Sequence, residues 1–294
     1  MSSSRPVAIL GAPGQLGSDI VRAAATAGIE HVGIGHDQVE VTDASSLAAV
    51  MQRVRPAAVI NSAAFHQVDR CEEDPAEAYR VNAVGALLVA RAAKDAGARC
   101  LYISTDYVFD GRRSPETMYS ENDFPAPLNI YGASKAAGEQ LVAQALDNHL
   151  IVRVSSLFGV AGARGKGGNF IETILKKARD GGPLKVVSDQ WMTPTYTADA
   201  GAAIIRLAIG EATGVVHVTN PESCTWHAFA SEAVSMARIA VEVQAVPVDA
   251  FPSKVRRPRN SALGTDRLRD LVGTGLRPWK DALHAYLAAK GHLN

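Results

Sequence analysis

Val7-Ala8-Ile9-Leu10, followed by Gly11-Ala12-Pro13-Gly14-Gln15-Leu16-Gly17, is the stretch on which the reading of this chain turns. A short apolar run is the mark of a strand buried on both faces. The glycines interrupt it, and a helical stretch then runs to about residue 28. Strand, glycine turn and helix in that order set a helix N-terminus beside backbone stripped of side chains, which suits a pyrophosphate. Gly11 permits the tight turn, Gly14 admits close backbone approach and Gly17 lets helix and strand pack. The spacing is G-x-x-G-x-x-G and not G-x-G-x-x-G, so glycines serving only a turn are the alternative.

Outward from that unit the pattern alternates. Strands are expected at 31–35, 57–61, 100–104 and 150–154, and helices at 44–54, 76–96 and 133–145. Further on, helices are expected at 169–178, 198–209, 226–237 and 278–290, with strands at 184–187 and 214–218. Alternation of this kind predicts an α/β fold whose parallel sheet is joined by right-handed crossovers. Residues 162–168 hold four glycines and two cations and read as a mobile loop. The second strand ends in Gly35-His36-Asp37, which gives cleanly neither the signal of an acid that favours NAD nor that of a base that favours NADP, so weak coenzyme discrimination with a lean to NADPH is expected. Asp43 stands immediately before a helix and reads first as its cap, with an adenine contact as the alternative.

Composition excludes several function classes. The chain has 294 residues, 30 basic and 30 acidic, which gives no pull toward nucleic acid or a membrane surface. Cys71, Cys100 and Cys224 lack C-x-x-C spacing, and the eight histidines form no H-E-x-x-H, so neither disulfide framework nor metal site is expected. No signal-like or membrane-spanning run is seen, and a cytoplasmic protein is the expectation.

The chemistry is expected between Ser104-Thr105-Asp106-Tyr107-Val108-Phe109-Asp110-Gly111 and Tyr131-Gly132-Ala133-Ser134-Lys135. Four residues apart on a helix, Tyr131 and Lys135 share a face. A nearby ammonium lowers a phenol's pKa from its reference of about 10, which equips a tyrosine to protonate a carbonyl oxygen as hydride arrives at carbon. Alone the pair is a weak signal. The basic segment 254–259, with Arg257, reads either as a solvated loop or as a diphosphate clamp.

Taken together, these residues resemble an extended short-chain dehydrogenase/reductase, specifically the dTDP-4-dehydrorhamnose reductase family. The resemblance rests on the glycine turn 11–17, Ile60-Asn61 with Ala63-Ala64, Val68-Asp69, Asp74-Pro75, Val81-Asn82-Ala83, Ser104 to Gly111, Tyr131 with Lys135, Gly138-Glu139, Asn169-Phe170, Asp189-Gln190, Pro194-Thr195 and Arg257-Pro258. It implies a Rossmann-type, doubly wound NAD(P)-binding domain over residues 1–157 and a smaller, mainly substrate-binding α/β part over 158–294, with residues near 193–219 returning to the first. Carried over by position, Thr105 would bond the substrate carbonyl, Tyr131 would donate the proton, and Lys135 would hold the nicotinamide ribose. Gly11, Gly14, Gln15, Leu16 and Gly17 would line the pyrophosphate, Asp43 and Ala44 the adenine, and Ala63 and Ala64 the cofactor beyond. Ser104, Thr105, Asp106, Ser156 and Arg257 would meet the sugar nucleotide. The implied cofactor is NADPH or NADH, the implied reaction reduces dTDP-4-dehydro-β-L-rhamnose to dTDP-β-L-rhamnose, and a homodimer is allowed.

Two departures stand out. Members carry Arg-x-Ser-Trp or Arg-x-Ala-Trp where this chain has Arg153-Val154-Ser155-Ser156, which removes an indole on which a deoxysugar could rest. The loop 160–168 is also longer. Both bear on the sugar, not on hydride transfer. The same residues also resemble the regulatory β subunit of methionine adenosyltransferase, a cofactor binder that acts through a partner enzyme, and a related sugar-nucleotide epimerase or dehydratase is a third reading.

Overall fold

The opening strand, β1 (Val7–Leu10), is buried along its whole length, and its successive side chains divide between two cores. Val7 and Ile9 enter one core, while Ala8 and Leu10 enter the other. That alternation is the strand period at work, and it requires helices on both sheet faces. The computed structural model describes residues 5–115, 117–162 and 168–293.

Within them α1 (Gln15–Thr26) follows the glycine turn. β2 (His31–Ile34), α2 (Ala44–Val54), β3 (Ala58–Asn61), α3 (Val68–Glu73), α4 (Pro75–Tyr79), α5 (Ala86–Asp95), β4 (Arg99–Thr105), α6 (Ile130–Ala145) and β5 (His149–Val154) come next. The later elements are β6 (Leu157–Phe158), α7 (Phe170–Arg179), β7 (Leu184–Val187), β8 (Trp191–Met192), β9 (Thr195–Tyr196), α8 (Thr197–Ile209) and β10 (Gly214–His217). The chain closes with β11 (Cys224–Thr225), α9 (Trp226–Met236), β12 (Val243–Val246), α10 (Asp266–Val272) and α11 (Trp279–Ala289).

Six parallel strands form the central sheet in the order β10-β5-β4-β3-β1-β2. The order reverses between β1 and β3, and such a switch point opens a crevice at the carboxyl ends of the strands. One face is covered by α1 and α8, with Leu268 of α10 at its rim. The other is covered by α2, α5 and α6. α8 and β10 lie on this sheet although residues 157–192 intervene. Phe158, α7, α9 and α11 build a third apolar cluster around Phe229, Trp279 and Tyr286, beside the two-stranded β12–β7 pair.

One expected element differs. The helix foreseen over 76–96 begins at Pro75, with Asp74 accepting from the Glu77 N–H, and is interrupted by a π turn over Arg80–Gly85. The wide turn swings Asn82 inward, where it is fully buried. Its amide donates to the Phe65 carbonyl at 2.9 Å and to Ser134 Oγ at 3.0 Å, and its backbone carbonyl accepts from Tyr102 Oη at 2.6 Å. A π turn is rare except where it aims a group at a site. The mobile loop expected at 162–168 falls in part on 163–167, which lie outside the described residues.

Two glycines of the first unit are needed for different reasons. A Cβ on Gly17 would lie well inside contact distance of the Gly11 carbonyl, whereas one on Gly28 would meet nothing but would sit at φ +67°. Gly17→Ala should therefore lower stability by about 1–3 kcal/mol through backbone displacement. Gly28→Asn, at an exposed turn where asparagine accepts the left-handed region, should stay within about 0.5 kcal/mol. Urea denaturation of both variants measures the difference, and equal losses would mean that the close approach of turn and helix is not what Gly17 provides.

Candidate active site

β4 and the turn after it deliver three consecutive polar positions to the carboxyl edge of the sheet. Ser104, Thr105 and Asp106 are all buried. α6 approaches that edge because its first turn is fully provided for. Asn129 caps it by accepting from the Gly132 N–H at 2.8 Å, and Glu72 Oε1 accepts from the Ile130 N–H at 2.8 Å. Gly132 has no side chain to hold off the Tyr107 carbonyl, so α6 comes down directly on the turn after β4.

Tyr131 then stands with Thr105 on the cleft, near enough for the Thr105 hydroxyl to favour the phenolate. The Tyr107 ring stands edge-on to Tyr131, with centroids 6.0 Å apart. One turn along α6, Lys135 is buried and donates from Nζ to the Ile103 carbonyl at 2.6 Å, 4.0 Å above the centre of the Tyr102 ring. Asp106 Oδ2 accepts from Ser155 Oγ at 2.9 Å and Oδ1 from Thr105 Oγ1 at 3.1 Å, and Ser261 adds a third hydroxyl.

Burial sets the charge states here. It raises the pKa of Tyr131, and the Thr105 hydroxyl is the contact that opposes it. It pulls Lys135 down to about 7, against the attraction of Glu139. It lifts Asp106 to about 6 although three hydroxyls favour the carboxylate. The lowered phenol pKa expected from the Tyr131 and Lys135 spacing is therefore not the state of the protein by itself. The ammonium is turned to a backbone carbonyl, and desolvation dominates. Tyr131 keeps part of its surface on the cleft, so the size of that push depends on what fills the cleft.

The cleft is a cavity of about 550 Å³ that brings together Gly11, Gly14, Gln15, Leu16, Gly17, Ala64, Ser104, Thr105, Asp106, Tyr131, Lys135 and Ser156. At its glycine end α1 begins at Gly14 without a side-chain cap, and Gln15 Oε1 is buried with no partner. The uncapped N–H groups fit the diphosphate of a dinucleotide. Phe170 and Trp226, with ring centroids 4.7 Å apart, line the far wall.

Other expected site residues lie elsewhere. Ala63 sits behind the cleft against the second core. Asp43 caps α2, accepting from the Ser45 N–H at 2.9 Å and from Ser45 Oγ at 2.7 Å, as the simpler reading had it. Ala44 borders a separate groove between α2 and α5. Arg257 lines an outer groove that meets the cleft at Tyr107, Phe170 and Trp226, and it pairs with Asp69 at 3.2 Å and with Ser253 Oγ at 2.8 Å. Sequence reasoning passed over Asn82, Ser155, Ser261, Phe170 and Trp226 as contributors. An asparagine inside an alanine-rich helix was the one legible signal among them, since asparagine is a poor helix former.

Comparison with known proteins places the chain among sugar-nucleotide enzymes. The family described as RmlD substrate binding domain matches residues 5–291. The spore coat polysaccharide biosynthesis protein SpsK of Bacillus subtilis is 36% identical over 283 residues, 96% of this chain and 96% of that protein. The dTDP-4-dehydrorhamnose reductase of Burkholderia thailandensis is 34% identical over 294 aligned positions, covering 94% of this chain and 96% of the relative. Among solved structures, dTDP-4-dehydrorhamnose reductase from Bacillus anthracis in complex with NADP superposes with a TM-score of 0.91 at 36% identity, over 97% of this chain and 99% of that one.

The raised pKa of Asp106 has a measurable consequence. Its folded value of about 6 lies above the ordinary carboxylate value of about 3.9, so between them the folded state holds the extra proton. Stability should then fall as pH rises from about 4 to 6, with the full penalty present above that window. Asp106→Asn lacks this titration. The stability of wild type relative to the variant should drop by roughly 2–3 kcal/mol across the window and be flat above pH 7. Chemical denaturation at a series of pH values checks it, and a constant difference from pH 4 to 7 would rule the shift out.

Proposed function

The chain belongs to the RmlD substrate-binding-domain family, and on that premise we propose that it is an NADPH-dependent oxidoreductase that reduces the 4-keto group of a dTDP-linked 6-deoxysugar, dTDP-4-dehydro-β-L-rhamnose going to dTDP-β-L-rhamnose. The observation that carries this reading is that Thr105, Tyr131 and Lys135 meet on one cleft whose other end is the uncapped glycine turn of α1. NADPH supplies the hydride when bound, and NADH can serve in its place. Relatives matched over nearly their whole length at 33–36% identity are named as reductases or as a polysaccharide biosynthesis protein, whereas UDP-glucose 4-epimerases of solved structure share 16–20% identity and speak for the fold alone.

In this reading the residues divide the work. Gly11, Gly14, Gln15, Leu16 and Gly17 hold the diphosphate of the coenzyme on the N-terminus of α1. Ala64 continues its path along the sheet edge. Lys135 turns to the nicotinamide ribose. Thr105 donates to the sugar carbonyl, and Tyr131, its proton retained at neutral pH, delivers that proton to the carbonyl oxygen. Asp106 and Ser104 fix the sugar from the strand side. Arg257 and its basic neighbours face the sugar's diphosphate from the outer groove. Residues 158–294 act mainly as the substrate-binding part, working in the cytoplasm and as a homodimer.

The missing indole has a substitute in this reading. Ser156 is small and sits at φ +43°, so no aromatic platform rises from it. Trp226, the first residue of α9, and Phe170, the first of α7, stand at the same cavity and take over the apolar surface on which the deoxysugar rests.

Two variants test the assignment. Tyr131→Phe keeps the ring and removes the proton, so turnover of dTDP-4-dehydrorhamnose should fall about 10²- to 10⁴-fold with NADPH affinity nearly unchanged. Retention of most activity would remove the tyrosine from the mechanism. Trp226→Ala should raise KM for the sugar nucleotide by roughly ten- to a hundredfold, the worth of one buried aromatic contact, while NADPH binding by fluorescence stays as it is. An equal loss of both affinities would place Trp226 in the scaffold instead.

A further inference from the structure

Behind Tyr131 and Lys135 lies a set of buried charges that hydride and proton transfer do not use. Glu139 stands one turn beyond Lys135 on α6, and the two are 2% and 1% exposed. Arg153 grips the Glu139 carboxylate at both oxygens, Nε to Oε1 at 2.9 Å and Nη2 to Oε2 at 2.7 Å, and Ser104 Oγ also donates to Oε1. Lys135 is bonded to the carbonyl of Ile103, the residue before Ser104. Arg153 is in turn the β5 register partner of Ser104. Lysine and glutamate, neighbours on α6, are thus pinned to consecutive residues of β4.

Cys71 of α3, Cys100 of β4 and Tyr107 border Tyr131 and Tyr102, and the other titratable and charged groups come from the elements that hold the lysine and the glutamate. α6 brings Tyr131 and Glu139, β4 brings Tyr102, the turn after it Asp106, and β5 brings Arg153. His217 on β10 lies near Arg153 and is neutral, its pKa pulled down to about 3 by burial first and by the guanidinium second. Tyr102 is a neutral phenol held well above its ordinary value by burial. Of these, Glu139 is the group that attracts the Lys135 ammonium.

We propose that Glu139 is a positioning residue, an anion that holds Lys135 in its ammonium form inside the protein while Arg153 and Ser104 hold the carboxylate in place. A buried lysine without an opposite charge sheds its proton. A buried glutamate without a cation would take one up. The three side chains solve both problems together with a net charge of one, which Lys135 carries toward the cleft. The inference rests on the reading of Lys135 given above as the residue that meets the coenzyme.

The test reads Lys135 directly. In protein labelled with [13C]lysine and free of coenzyme and sugar, the εCH2 resonance of Lys135 is displaced by the Tyr102 ring and is identified by its loss in Lys135→Met. Its titration midpoint should fall by about one pH unit or more in Glu139→Gln and stay near the wild-type value in Glu139→Asp. Glu139→Gln strands the Arg153 charge and can unfold the protein. Glu139→Gln combined with Arg153→Met removes both charges, should fold, and should show a midpoint lowered in the same direction but by less than in the single variant, where the Arg153 charge still repels the ammonium. In that double variant NADPH affinity should weaken with rising pH at a lower pH than in wild type. An unchanged midpoint in the folded double variant would overturn the proposal. Because the midpoint is measured without any substrate, it answers this question even if the protein proved to reduce something else, which the Tyr131→Phe kinetics decide.

Discussion

Four consecutive residues at the carboxyl end of β4 and in the turn after it are each committed to a different partner, and most of the structure follows from that constraint. Ile103 gives its carbonyl to Lys135, Ser104 its hydroxyl to Glu139, Thr105 its hydroxyl to Asp106, and Asp106 accepts in addition from Ser155. A strand shows alternate residues to opposite faces, so a slip of one residue would exchange the pairings with Lys135, Glu139 and Ser155 at once. β4 is held against such a slip by β3 on one side and β5 on the other, in unbroken parallel register. The helices are placed to suit. Asn129, Gly132 and the inward Asn82 bring α6 and the π turn down onto the strand end.

The cleft is also where the fold concentrates its electrostatic cost. Lys135, Glu139, Arg153 and Asp106 are almost wholly removed from water, and an ionised group in that position must be paired or neutralised. Each has at least one hydrogen bond inside the protein, and the apolar cores on the two faces of the sheet supply the burial that offsets them. A site assembled from solvated charges would be cheaper to fold. It would also leave the proton of Tyr131 in exchange with water and the lysine free to wander, and neither suits a transfer that needs fixed distances.

Much of this was legible in the sequence, and the limits have physical causes. The glycine turn declared itself because few residues other than glycine allow both the turn and the close approach of α1. The amphipathic α2 was visible through its periodicity and α8 through its strongly apolar run. Two-residue strands such as β6, β8, β9 and β11 carry no period to detect and exist because tertiary contacts pair them. The π turn was invisible because its cause, the pull of Phe65, Tyr102 and Ser134 on Asn82, comes from three other segments. The Tyr131 and Lys135 spacing correctly put two side chains on one helix face, but not the direction of the lysine tip, which the Ile103 carbonyl decides. Arg257 showed its charge but not its ion pair with Asp69, 188 residues away along the chain.

The α8 helix has a consequence for how the polypeptide is made. One whole face of the central sheet is closed by α8 against α1, with Gly201 set so near that a Cβ there would press on the Asp19 backbone, and Thr197 Oγ1 bonded to Asp19 178 residues before it. Arg99, at the start of β4, likewise finds its carbonyl partners at Leu207 and Ala212. The amino-terminal half can therefore form strands and its other face early in synthesis, yet the face that α8 closes stays open until residues past 209 have left the ribosome. Contacts of such long sequence separation form late and slowly. Newly made chains of this protein accordingly pass through a stage in which an apolar sheet face awaits its cover, and it is there, ahead of any chemistry, that the cell's chaperones would meet it.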